Sequence, residues 1–71
     1  MTDTIGNRLK TLRMEHEISQ RELAEALGVS NSTISRIEKV DSLPDTKTLI
    51  AYSEHFGVST DWILFGKEHE A

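Results

Sequence analysis

The side chains best equipped for directed contacts stand in one short run, Asn31-Ser32-Thr33-Ile34-Ser35-Arg36. A carboxamide, several hydroxyls and a guanidinium offer donors and acceptors in defined geometry. By composition alone, a polar helix face of this kind is an ordinary solvated surface. Catalysis has less to rest on, because no nucleophile–base pair, glycine-rich phosphate loop or carboxylate dyad stands out. His16, His55 and His69 are scattered without metal-ligand spacing and read as surface histidines. The chain has no cysteine, which removes disulfides and thiolate zinc sites and suits a reducing compartment. No enzyme activity, cofactor or metal is expected.

Helical periodicity runs through the chain, and no strand alternation competes with it. Ile5, Leu9 and Leu12 mark one face of a first helix from about Thr4 to about Met14. Ser19-Gln20-Arg21-Glu22 is a capping box, with Ile18 and Leu23 placed as a hydrophobic staple. Leu23, Ala24 and Leu27 continue that second helix, and Gly28 ends it. The device repeats: Val29, Ser30 and Ile34 start a third helix over Asn31–Lys39, with Ile37 on its inner side. Pro44 and Asp45 open a fourth, with Leu49, Tyr52 and Phe56 inward and Gly57 at its end. Val58, Ser59 and Ile63 start a short fifth helix ending near Gly66. The expectation is an all-α, compact five-helix domain over residues 1–66, followed by a polar, fraying tail, Lys67–Ala71.

Only Gly28-Val29-Ser30 separate the second and third helices, too few residues for antiparallel stacking. The pair must cross steeply, as in a helix-turn-helix. Ala24 is small where the helices approach, Gly28 permits positive φ in the turn, and Ile34 wedges between them. Each is commonplace singly; the combination at this spacing is specific.

At this point the chain resembles the phage Cro and lambda-type repressors and the wider XRE-type regulators. The similarity spans nearly the whole sequence, from Ile5-Gly6-Asn7-Arg8-Leu9 through Ser19–Ser30 and Ile34-Ser35-Arg36-Ile37-Glu38 to Phe56-Gly57-Val58-Ser59-Thr60-Asp61-Trp62 and Ile63-Leu64. The resemblance implies a helix-turn-helix made by helices 2 and 3, and a homodimer on a palindromic double-stranded DNA operator. It implies base reading by Asn31, Ser32, Ser35 and Arg36, with Asn31 suited to adenine and Arg36 to guanine. It places phosphate contacts at Gln20, Ser30, Thr33 and Lys39, Gln20 being aided by the positive end of its helix. It also matches Arg13 and Glu38 to a pair that braces the third helix against the first without reading DNA. Dimer contacts are expected around Leu43, Thr60 and Ile63. The apolar run Trp62-Ile63-Leu64-Phe65 is divided between core and interface without a residue-by-residue assignment.

Two residues depart from the family pattern. Glu17 and Val40 stand where glycines usually close the first and third helices. Valine tolerates positive φ poorly, so the third helix should end differently or run on slightly. Val40-Asp41-Ser42-Leu43 also lacks basic residues that could grip a phosphate backbone.

Charge alone does not favour nucleic acid. Net charge is −4, yet residues 1–40 hold six basic and six acidic side chains, whereas residues 41–71 hold two and six. The acidity therefore lies in the second half, away from the third helix. No signal peptide or membrane-length apolar run is present, so a cytoplasmic protein with no membrane partner is expected. Three other readings stay open. The fold could serve as a protein-interaction module, such as an antitoxin or adaptor. The chain could be the N-terminal part of a larger repressor. RNA binding is a third reading, but it lacks a surplus of aromatic residues for stacking.

Overall fold

In a computed structural model, which describes residues 4–40 and 43–66, five helices follow in order. They are α1 (Ile5–Glu15), α2 (Gln20–Leu27), α3 (Asn31–Val40), α4 (Thr46–Phe56) and α5 (Thr60–Phe65). The expected tail Lys67–Ala71, and Asp41 and Ser42 of the connection after α3, lie outside the described residues.

Helix starts follow directly from side-chain chemistry. Ser19 Oγ accepts from the Glu22 backbone N–H at 3.0 Å, and Glu22 Oε1 accepts from the Ser19 N–H at 2.9 Å, closing the capping box. Thr4, Ser30, Asp45 and Ser59 each accept from the backbone N–H three residues on. Ile18, Val29 and Val58, each just ahead of a cap, pack against the core. The residues four past those caps, Leu23, Ile34 and Ile63, are fully buried. The same staple thus sets three entry angles and feeds three anchors into one cluster.

That cluster comprises Leu9, Leu23, Ala24, Ile34, Ile37, Tyr52 and Ile63, so every helix contributes to it. At about 25 cal/mol per Å2 of apolar surface removed from water, each large member contributes roughly 1.5–3 kcal/mol. Phe56 stacks on Tyr52 with centroids 6.2 Å apart and meets the rings of His16 and His55 edge-on at 4.9 Å each. These contacts tie the end of α1 to the end of α4. Arg8 ties α1 to α5: its Nε and Nη2 donate to the Ile63 carbonyl at 3.0 and 2.8 Å, and Nη2 reaches the Leu64 carbonyl at 3.1 Å. A cation thereby covers carbonyls that end a six-residue helix.

α3 extends one residue past Lys39, through Val40. Gly28 closes α2 at φ +74°, and a Cβ there would meet no neighbouring atom within 4 Å, so conformation rather than space calls for glycine. Glu17, after α1, adopts the same left-handed conformation at φ +56°, the only non-glycine to do so among the described residues. For an L-residue that conformation costs roughly 1–2 kcal/mol.

Glu17→Gly should relieve this strain, less the added freedom of glycine in the unfolded chain, for a net gain of about 0.5–1 kcal/mol. Denaturant unfolding showing no gain would mean that the turn is not strained. A second expectation concerns acid. The Ser19 backbone N–H, then its hydroxyl contact, hold the Glu22 carboxyl below its ordinary 4.5. A depressed folded value adds stability that is complete above about pH 4.5 and lost as pH falls through the folded value. The stability excess of wild type over Glu22→Gln should therefore shrink on acidification, and an excess independent of pH would contradict the assignment.

Candidate nucleic-acid interface

The reading surface is built on α3, whose inward stripe of Ile34, Ile37 and Glu38 is buried. The helical period sends Ser32, Ser35, Arg36 and Lys39 the other way. Asn31 lies two turns before Glu38 on the near flank and is open because it is the first residue of the helix. Asn31, Ser32, Arg36 and Lys39 are exposed and Ser35 is half-buried. Among the described residues, none of these five side chains has a hydrogen-bond partner. Two cations lie on this face, and the acid of α3, Glu38, points inward.

Glu38 is the centre of the support. Arg13 Nε donates to its Oε2 at 2.7 Å and Arg13 Nη2 to its Oε1 at 3.1 Å, a forked pair whose side chains are 12% and 3% exposed. Gln20 Nε2 donates to the same Oε1 at 3.0 Å. Arg13 Nη1 donates to the Ile18 carbonyl at 2.8 Å, holding the chain just before α2. Glu38, by hydrogen bonding first, keeps Arg13 more firmly protonated than its ordinary value, against the opposing effect of burial. One carboxylate of α3 is thus gripped from α1 and α2 together.

The remaining sequence-predicted residues divide. Ser30 Oγ and Thr33 Oγ1 bond each other at 2.8 Å, and Ser30 also caps α3, so both hydroxyls serve the helix start while lying at its rim. Gln20 is half-buried and already engaged by Glu38, so it is not a freely presented anchor. Leu43 is 64% exposed, and Thr60 is half-buried. Ile63 requires correction: its side chain is 0% exposed, inside the core cluster, and cannot reach a second chain. Of its neighbours, Phe65 is 58% exposed, whereas Trp62 packs against the core. An open groove of about 440 Å3 flanks the reading face, with Thr33, Arg36, Leu43 and Pro44 among its walls.

Sequence reasoning missed the Arg8 fork and the Gln20–Glu38 bond. The first joins positions 55 residues apart, with no local pattern to announce it. The second had one available signal, a donor at the start of α2 and a carboxylate on the inward side of α3.

A short tight turn between two capped helices, with a braced second helix showing free polar groups, defines a helix-turn-helix domain. The helix-turn-helix family model HTH_3 matches residues 9–63, and the chain belongs to this family, in its XRE type. It is 43% identical over 65 residues to the HTH-type transcriptional regulator DicA of Escherichia coli (strain K12), a match covering 92% of this chain and 48% of that protein. ImmR of Bacillus subtilis (strain 168), also named an HTH-type transcriptional regulator, is 40% identical over 65 residues, covering 92% of this chain and 50% of ImmR. The chain spans about half the length of these curated relatives. Its fold superposes on the P22 c2 repressor, solved in complex with a synthetic operator, with a TM-score of 0.86 and 33% identity, covering 93% of this chain and 100% of that one. The family is one of regulators, not a class of enzymes. No helix among the described residues is long and apolar enough to cross a membrane.

Arg13→Ala should cost about 3 kcal/mol, because it strands a buried carboxylate. An unchanged melting temperature would show that Gln20 alone satisfies Glu38.

Proposed function

We propose that this chain is a sequence-specific DNA-binding domain, acting as a transcriptional repressor, that grips a two-fold symmetric operator as a homodimer. Its place of action would be the cytoplasm of a bacterial or phage-infected cell. The observation that carries the reading is the outer face of α3: Asn31, Ser32, Ser35, Arg36 and Lys39 have no side-chain hydrogen-bond partner among the described residues, on a helix braced through Glu38. Groups held in place before binding lose little entropy on binding. The operator-bound state of the P22 repressor, whose fold this chain shares, supports the same reading.

In this reading α3 enters the major groove. Arg36 forks onto guanine O6 and N7, and Asn31 pairs with adenine N6 and N7. Ser32 and Ser35 are short, so the helix axis can approach the base edges while the two longer side chains reach. Gln20, Ser30, Thr33 and Lys39 contact phosphates and set register. The dimer contact is proposed around exposed Leu43 and Thr60, with half-sites on the order of 34 Å apart.

The test is a selection from random duplex DNA at fixed moderate salt, since affinity depends steeply on ionic strength. A two-fold symmetric site is expected. Arg36→Ala should cost roughly 1–3 kcal/mol and relax choice at one position of each half-site. No enrichment, at low salt as well as moderate, would move the assignment to a protein-interaction module. Enrichment with preferences unchanged by Arg36→Ala would remove that residue from the reading set.

A further inference from the structure

Two arginines leave α1 in different directions. Arg13 reaches α3 and grips Glu38 at 2.7 and 3.1 Å. Arg8 reaches α5, where Nε and Nη2 donate to the Ile63 carbonyl at 3.0 and 2.8 Å and Nη2 to the Leu64 carbonyl at 3.1 Å. Five residues apart on one helix, the two stand about 7.5 Å apart along its axis and roughly 140° apart around it. α1 itself packs against both α3 and α5. It is a strut with a planar clamp toward each.

The first clamp serves the reading face; the second serves another surface. Thr60, in the proposed dimer contact, is the first residue of α5, and exposed Phe65 is its last. Burial of Ile63 in the core holds α5 against the body of the domain. Apolar burial is non-directional, however, and a helix of six residues has little stability of its own. A guanidinium meeting two successive carbonyls is directional, so it resists both sliding and rotation of α5.

In a two-fold dimer, any slack between the reading helix and the dimer contact enters twice, once per protomer. One added base pair moves the half-sites apart by about 3.4 Å and turns them by roughly 35°. Each protomer would have to give by about half of that, some 1.7 Å, which is more than hydrogen bonds near 3 Å tolerate.

We infer that Arg8 is a positioning residue for operator geometry: by clamping α5 it fixes the offset between reading helix and dimer contact, and so makes the protein discriminate half-site spacing. The inference rests on the reading of a homodimer on a symmetric operator. Arg8 acts through α5, not by touching a base or a phosphate.

The experiment compares wild type with Arg8→Lys and Arg8→Gln, which keep a donor and lose the fork. The probes are the symmetric duplex recovered by selection, the same duplex with one base pair inserted or removed between half-sites, and a duplex holding one half-site. Salt is fixed, and the temperature is one at which melting shows the proteins folded. Wild type should bind the altered spacings on the order of tenfold more weakly, since DNA or protein must deform. In both variants that discrimination should fall to about threefold or less, while affinity for the single half-site stays within about twofold of wild type. Discrimination equal to wild type in either variant would overturn the inference. So would a half-site loss as large as the loss on the symmetric duplex, or failure of both variants to fold, because the fork would then serve the whole domain. Wild type that binds DNA with no spacing preference would instead remove the homodimer reading, and wild type that binds no duplex the DNA-binding reading, and the inference with either.

Discussion

A carboxylate buried inside a domain of this size has to be answered by donors, because withdrawing an ion from water costs several kcal/mol even after the protein relaxes. Glu38 is answered three times, by two nitrogens of Arg13 and one of Gln20. The donors come from α1 and α2 while the carboxylate belongs to α3, so satisfying one charge sets the mutual placement of three helices. Apolar burial drives the collapse, but it is indifferent to small rotations of a smooth helix. The forked guanidinium is not, since both of its bonds lengthen if α3 turns. The Arg13 bond to the Ile18 carbonyl extends the same constraint to the entry of α2. A small core thus gains an orientation that leucine and isoleucine alone would leave soft.

The same pair reshapes the surface charge. Glu38 is the single acid of α3, and turning it inward leaves Arg36 and Lys39 as the exposed charges of that helix. A protein with a net charge of −4 thereby presents a locally cationic face. For a DNA-binding domain this has an energetic meaning. Counterion release from phosphates supplies most non-specific affinity, and an acidic body weakens that term for every sequence alike. Contacts to base edges are short-ranged and keep their full value. Discrimination between sites would then come at the expense of overall affinity.

The legible parts of the fold are those governed by neighbours in sequence. Ser19 with Glu22, Ser30 with Thr33 and Asp45 with Thr48 are three residues apart, and each forms the hydrogen bond expected of that spacing. The Arg13–Glu38 pairing entered only through resemblance, because nothing in the local pattern of either residue names the other. Arg8 on the α5 carbonyls and Gln20 on Glu38 are tertiary facts, dependent on where whole helices come to rest. Ile63 failed for a different reason. Four apolar residues in a row on a six-residue helix give no periodicity from which to choose an inward side, so the run Trp62–Phe65 reads as mainly core with a share in an interface, and no single residue can be assigned to either. The choice was available in another place: as the residue four past the Ser59 cap, Ile63 holds the same position as Leu23 and Ile34, both fully buried. The local staple outranks the composition of the run. Glu17 illustrates the opposite case, in which a residue departs from the family pattern and the backbone keeps the pattern's left-handed turn regardless.

These constraints divide the polar side chains near α3 into two populations. Arg13, Gln20, Glu38, Ser30 and Thr33 are engaged with one another or with the backbone, whereas the side chains of Asn31, Ser32, Ser35, Arg36 and Lys39 hold no hydrogen bond among the described residues. The division follows the helical period. Glu38 lies four residues past Ile34, so it shares the buried stripe, while Ser32, Ser35, Arg36 and Lys39 fall at intervals of three and four on the opposite side. A one-residue shift of the α3 start would carry Glu38 out of reach of Arg13 and rotate the free set toward the core. The Ser30 cap is therefore more than a local helix signal. By fixing where α3 begins, it decides which side chains become support and which remain open for recognition.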